Sequence, residues 1–274
     1  MRFLHHRTPG MTVPVGTPNR GTGTYHALVR LAADRLGRPL DTVSISPVGS
    51  DDELIDAGVG ASSVTHVTGH VCRDACERRM QALKPPEVNR EHPAWWIARA
   101  LTAADRTSLT VHGEPEATQE NRESVEDSCT GITVQTHVDP QTGVRRIQRA
   151  LLAIETGWLV DPVEFRGQIE GEFVHGLSQS PSEHLIVEDG QPVTTSLGDY
   201  TLACIADVPP LEIRHVHCGP EPDDEIRAIG ELTNLGGPVA IANSIDDAVG
   251  VQLIDLPMTA ESIWSALQST RWRP

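Results

Sequence analysis

The segment "GITVQTHVDPQTGVRRIQRALLAI", Gly131 to Ile154, constrains the fold more than any other stretch. Two runs of β-branched and aliphatic residues flank Asp139-Pro140 and Gly143, residue types that turn a chain back on itself. That spacing predicts a long antiparallel hairpin. Helical patterns lie on both sides of it, which excludes an all-helical bundle. A sheet built by regular strand–helix–strand alternation does not fit this order either. The prediction is an α+β fold with mixed sheets and packed helices.

Several elements carry their own boundaries. In "GTGTYHALVRLAADRLGRP", Leu28, Leu31, Ala32 and Leu36 repeat at helical spacing, and Gly37 and Pro39 supply the stop. "DTVSIS" points Val43 and Ile45 inward, as a strand does, and "SVTHVTGHVCRDACERRMQAL" predicts a second helix. "RGQIEGEFVHGLSQ" predicts a helix opening at Arg166 to Gln168. Near the C-terminus, Pro238 is expected to start a helix with a stripe of Ile241, Ile245 and Ala248, closed by Gly250. Thr259 is the expected N-cap of the last helix. Residues 1–19 read as an irregular segment and 20–274 as one domain, with a polar surface excursion at about 84–127 holding a short helix around "AWWIARAL".

Charge narrows the partners. Lys and Arg number 22 against 38 Asp and Glu, a formal charge of −16, which argues against a nucleic-acid surface. No apolar run reaches the length of a membrane span, and the start lacks the apolar stretch of a secretory signal, so a cytoplasmic protein is expected. The five cysteines are scattered and odd in number, which does not make a disulfide framework. Cys72 and Cys76 stand one helical turn apart with no second pair, and read as reduced structural thiols.

Four features bear on chemistry. Gly21 and Gly23, with Thr22 and Thr24, precede a helix whose backbone N–H groups can approach an anion, or they form a plain helix start. Gly60, Ala61, Ser62 and Ser63 make a second Gly/Ser-rich helix start, with Ser62 an alternative simple N-cap. His66 and His70, and His215 and His217, are pairs without a third metal ligand. Glu231 follows Gly230 among apolar neighbours Ile229, Leu232 and Leu235, five or more residues ahead of the expected helix. Burial there would raise its pKa and suit a general base.

Taken in order, "GTGTYHALVRLAADRLGRPLDTVSI", "GASSVTHVTGHVCRDA", "VDPQTG", "GQIEGEFVHGL", "GDY…ADVP" and "IGEL…GGPVAIANSIDDAVGVQLIDLPMTAESI" resemble molybdenum hydroxylases. The chain looks like the C-terminal half of the molybdopterin-binding subunit of the xanthine dehydrogenase/aldehyde oxidase family, nearest its bacterial aldehyde oxidoreductase branch. The resemblance implies a molybdopterin-binding fold lacking the family's N-terminal half. It implies that Gly21, Thr22, Gly23 and Thr24 line the cofactor, that Gly60, Ala61, Ser62 and Ser63 belong to the loop holding the pterin and its phosphate, and that Gln168 contacts the pterin. Gly230-Glu231 matches the family's Gly-Glu, whose glutamate is the catalytic base. It would deprotonate a Mo–OH that attacks an aldehyde or N-heterocycle, while hydride passes to Mo=S.

The cofactor implied is molybdenum-molybdopterin, in its cytosine dinucleotide form. Iron–sulfur clusters and FAD would sit on partner subunits, and a separate N-terminal half would complete the pocket. The isolated chain is expected to be inactive. The competing reading is a truncated or degenerate non-catalytic remnant, acting as an interaction partner or having no activity. Departures from the family pattern include Thr22 for a glutamine, Ala228 for a glycine, Arg20 for an apolar residue, and Glu172 where relatives have Gly or Ala.

Overall fold

The computed structural model describes residues 11–49, 51, 59–60, 62, 64–82, 128–217 and 226–271. The chain divides into two compact units: unit 1 is Met1–Asp127, Gly157–Phe165 and Pro222–Ala228, and unit 2 is Ser128–Thr156, Arg166–Glu221 and Ile229–Pro274. The excursion at 84–127, with its short helix, lies outside the described residues.

Unit 1 opens with strand β1 (Met11–Val15), helix α1 (Thr24–Leu36) and strand β2 (Val43–Pro47). The strands pair in parallel, Met11 against Val43 and Val15 against Pro47. Parallel neighbours need a crossover, and α1 supplies it. Met11–Val15 is therefore ordered strand rather than irregular chain. Pro14 is tolerated there because a two-stranded sheet consists only of edges. Helix α1 ends where its sequence says: Gly37 is left-handed at φ 59°, and its N–H reaches the Ala33 and Asp34 carbonyls.

Helix α2 (Val64–Ala82) packs on α1. Gly69 permits the approach, since an added Cβ would lie 3.0 Å from Ile226 Cδ1. Leu28, Leu31, Leu36 and Ile226 are fully buried in this core, each contributing about 1.5–3 kcal/mol. Cys72 and Cys76 sit in the same core, hydrogen-bonded to each other as thiols.

Unit 2 contains the predicted hairpin, β3 (Cys129–Val138) and β4 (Arg145–Glu155). Asp139 Oδ1 accepts the Gln141 N–H at 2.8 Å, and Gly143 takes φ +72°. Helix α3 (Pro162–Gln179) begins in unit 1 and continues into unit 2. It opens at Pro162, earlier than Arg166 to Gln168. Asp161 Oδ1 accepts the N–H groups of Val163 and Glu164 at 2.9 and 3.2 Å, and Pro162 suits the first helical position.

After α3 come a small hairpin, β5 (Val187–Glu188) and β6 (Gln191–Pro192), and a short helix α4 (Leu197–Tyr200) capped by Ser196. Strand β7 (Leu211–Val216) then lies parallel to β4, giving the order β3-β4-β7.

Helix α5 (Leu232–Val249) packs on β3, with Gly236 against Ile132. It starts at Leu232, so Pro238 lies inside it rather than at its head. Pro238 has no N–H to give the Asn234 carbonyl. At that point Gly176 of α3 comes so close that an added Cβ would lie 2.7 Å from Asn234 O and 3.0 Å from Pro238 Cδ. Ile241 and Ile245 are fully buried as expected, but Ala248 is exposed. Gly250 ends the helix in a left-handed conformation. In helix α6 (Ala260–Arg271), Thr259 Oγ1 accepts the Ser262 N–H at 3.1 Å, the cap its sequence predicts. Among the described residues, no helix is long and apolar enough to cross a membrane.

Candidate functional site

In unit 1 the first glycine loop turns twice through left-handed backbone, with Gly21 at φ +78° and Gly23 at φ +76°. Gly23 is the N-cap of α1 and offers no side chain to the helix. Asn19 Oδ1 accepts the Gly21 N–H at 3.0 Å, and the Thr22 and Thr24 hydroxyls are 3.0 Å apart. A Cβ on Gly21 would meet nothing within 4 Å, so a ligand has room beside its Cα. Gly60, in the second loop, has the same clear space. Ser62 follows with a positive φ of 55°, while Ala61 and Ser63 lie outside the described residues. Gly21 and Gly60 thus fit an anionic pterin-type group approaching the backbone.

Gly23 differs. The Glu164 side chain lies over its Cα, where an added Cβ would come within 2.7 Å of Glu164 Cβ. Glu164 Oε1 pairs with His26 Nδ1 at 3.0 Å, on a largely exposed surface. Of the first loop, Gly21 is the open part.

In unit 2 the structure brings Gln168, Gly230 and Glu231 to adjoining elements. Gln168 is half-buried on α3, and the neighbouring Ile169 carbonyl accepts the Thr233 hydroxyl at 3.0 Å. Glu231 is the N-cap of α5, directly before Leu232, and not remote from the helix. Its side chain makes no capping hydrogen bond and is exposed, so the expected burial is not found. The reason is local: the chain enters α5 at Glu231 itself, and the side chain projects from the first turn instead of lying along an apolar loop.

One residue was marked by sequence reasoning only as a departure from the family pattern, with no role. Glu172 is only 7% exposed, and its Oε2 accepts from Thr233 N at 3.2 Å and Thr233 Oγ1 at 3.3 Å. Burial pushes its carboxyl up to about 7; the N–H and hydroxyl of Thr233 and the N–H of Leu232 oppose this, and the Glu231 charge adds to it. Oε1 has no hydrogen-bond partner. A signal was present: Ile169, Phe173 and Leu177 recur every four residues on the buried side of α3, and Glu172 lies three after Ile169 on that side.

The histidine pairs do not make metal sites. His66 Nδ1 is bonded to the Ile226 carbonyl at 2.5 Å. His70 is buried beside it, and burial first, then His66 and Arg73, pull its imidazole down to about 4. Among the described residues, no group of three or more His, Cys, Asp or Glu side chains could hold a metal ion. Two cavities of unit 2, of about 750 and 660 Å³, are lined by neither Gln168 nor Glu231.

Comparison with known proteins agrees with these features. The family described as "Molybdopterin cofactor-binding domain" matches residues 5–209. The chain is 30% identical to the 6-hydroxypseudooxynicotine dehydrogenase complex subunit gamma of Paenarthrobacter nicotinovorans, covering 96% of this chain and 36% of that one. It is 26% identical to the aldehyde oxidoreductase molybdenum-binding subunit PaoC of Escherichia coli K12, covering 94% and 37%. The chain therefore spans about a third of the length of these relatives. Among solved structures, a CO dehydrogenase from Oligotropha carboxidovorans superposes with a TM-score of 0.78 at 17% identity, over 96% of this chain and 36% of that one. The aldehyde oxidoreductase of Desulfovibrio gigas gives 0.75 at 22%, over 94% and 29%. These likenesses carry the α+β molybdopterin-binding fold. The chain belongs to the molybdenum hydroxylases of the xanthine dehydrogenase/aldehyde oxidase family, in the bacterial aldehyde oxidoreductase branch.

Proposed function

We propose that this chain is a component of a molybdenum hydroxylase that oxidises an aldehyde or an N-heterocycle, with Glu231 as the proton acceptor. Residues 20–274 serve as its cofactor-binding body. The observation that carries the reading is the state of Glu231: it stands at the start of α5 with its carboxylate exposed and committed to no cap. An uncommitted carboxylate on a helix fixed by Thr233 can take a proton without first breaking a structural bond.

The cofactor is molybdenum-molybdopterin in its cytosine dinucleotide form, and when bound it supplies the two-electron oxidation of the substrate carbon. The residues of this chain hold it and manage the proton. The clear space beside Gly21 and Gly60, with Gly23, Ala61 and the hydroxyls of Thr22, Thr24, Ser62 and Ser63, would hold the pterin and its phosphates. The Gln168 amide would orient the pterin ring, and Gly230 lets the chain enter α5 close to it. Glu231 accepts the proton that hydroxylation releases, then returns it to solvent.

Electrons leave through iron–sulfur and FAD-bearing subunits in the cytoplasm. A part resembling the family's N-terminal half completes the pocket, and residues 1–274 by themselves are inactive. Co-expression with such a part, followed by metal analysis and turnover of an aldehyde, tests the reading. Wild type and Glu231→Gln should both hold stoichiometric molybdenum, with turnover in wild type alone. A metal-free complex, or an active Glu231→Gln enzyme, overturns it.

A further inference from the structure

Helix α5 begins with an acid that does not cap it. Glu231 occupies the N-cap, yet the Thr233 N–H is satisfied from another helix, by Glu172 of α3. The start of a helix leaves several N–H groups unbonded and carries partial positive charge, so a carboxylate there is held by both hydrogen bonding and the helix dipole. A glutamate at N-cap would ordinarily compete for that place. Glu172 arrives from 61 positions away in the chain and takes it.

We propose that Glu172 is a positioning residue for Glu231: it caps α5 from α3 in place of the Glu231 side chain, which stays free of the cap. The inference rests on the reading of Glu231 as proton acceptor. Its geometry is independent of that reading. Glu172 is more than nine-tenths buried, Oε2 is tied to the N–H and hydroxyl of Thr233, and Oε1 has no partner.

A buried carboxyl with one bonded and one empty oxygen is suited to carry its proton on the empty one. The neutral form keeps the cap, because Oε2 still accepts. It also spares Glu231 a second negative charge nearby. The groups acting on Glu172 are few: the neutral Thr233 and Leu232 from α5, and the Glu231 charge.

The test uses the full-length chain, alone and in the assembled enzyme, with Glu172→Gln, Glu172→Ala and Glu231→Gln. Gln keeps the shape and an acceptor oxygen but cannot ionise; Ala removes the cap. Wild-type chain should unfold at a lower temperature as pH rises from about 5 to 8, and Glu172→Gln should lose that slope. Glu172→Ala should be destabilised at every pH. In the enzyme, Glu172→Ala should lower kcat by about tenfold with KM unchanged, and Glu172→Gln, which keeps an acceptor oxygen for Thr233, should restore most of it. An unchanged slope in Glu172→Gln, a Glu172→Ala chain as stable as wild type, or an undiminished kcat in Glu172→Ala each overturns the proposal. If Glu231→Gln retains turnover, the proton-acceptor reading fails instead, and the unfolding slopes still decide whether Glu172 caps α5 as a neutral acid.

Discussion

Helices α1 and α5 both begin without a side-chain cap from their own N-cap residue, and a glutamate of α3 stands near each start. At α1 it is Glu164, a third exposed and paired with His26. At α5 it is Glu172, buried and bound to Thr233. Water screens the first pair, so it adds little to stability and can swing aside. The second is shut away from water, so each bond it makes or lacks is felt in full. One helix start is therefore covered by a side chain that can swing aside, and the other is held by a buried one.

The largest test of that contrast is chemical. In the assembled enzyme, Glu231→Gln should lower kcat by about 10²–10⁴-fold without changing the unfolding transition of the chain. A loss of stability of similar weight to the loss of rate would make Glu231 a structural residue and erase the contrast.

Next in size is the first glycine loop. Gly23→Ala combines a left-handed backbone with a collision against Glu164, and should lose about 2–4 kcal/mol in urea unfolding. Gly60→Ala meets no neighbour and needs no positive φ, so it should leave stability unchanged while weakening retention of the cofactor on gel filtration. If both variants lose stability equally, Gly60 is a folding residue and not part of a cradle.

Smaller effects are expected at α5. Thr233→Val removes the hydroxyl that donates to Ile169 and Glu172, and should lower stability by about 1–2 kcal/mol. The pH dependence has a definite sign. Glu172 titrates at about 7 in the folded chain, above the ordinary value of about 4.3 for an unfolded glutamate. Between those values the folded state holds a proton that the unfolded state has released, so stability is complete below the lower one and falls as pH climbs through the upper. The loss by pH 8 should be about 2 kcal/mol after allowing for solvent screening, read from urea midpoints.

Smallest of all, Glu164→Gln should change stability by less than about 1 kcal/mol. A loss matching that of Glu172→Ala would show the two helix starts to be alike.

Features that speak through neighbours in the chain were legible in the sequence. The stop of α1 at Gly37, the Asp139 turn and the Thr259 cap each depend on bonds spanning a few residues. The start of α3 was equally local, yet Asp161-Pro162 was passed over in favour of the later Arg166. The start of α5 was misplaced because Gly236-Gly237-Pro238 has the composition of a helix beginning. Tertiary packing gives those residues another use: Gly236 clears Ile132, and Gly237 lies 3.5 Å, measured from an added Cβ, from Gly176 Cα.

Strand β1 escaped notice because a proline interrupts it, and only its pairing with a strand beyond α1 makes it regular. Glu231 is legible as a carboxylate among apolar neighbours, and only the order of the family blocks gives it a role. Glu172 is legible as an acid on an apolar stripe, but its purpose needed Thr233, which no local pattern connects to it.

The contact between Gly176 and the Asn234 carbonyl ties the placement of Glu231 to a residue that has no side chain. Asn234 is three residues from Glu231 on the same helix, and a hydrogen rather than a methyl at Gly176 sets how far that helix stands from α3. Gly176 is thus a gauge block. Its thickness, less than that of any other residue, sets how deep the start of α5 and its carboxylate sit against α3.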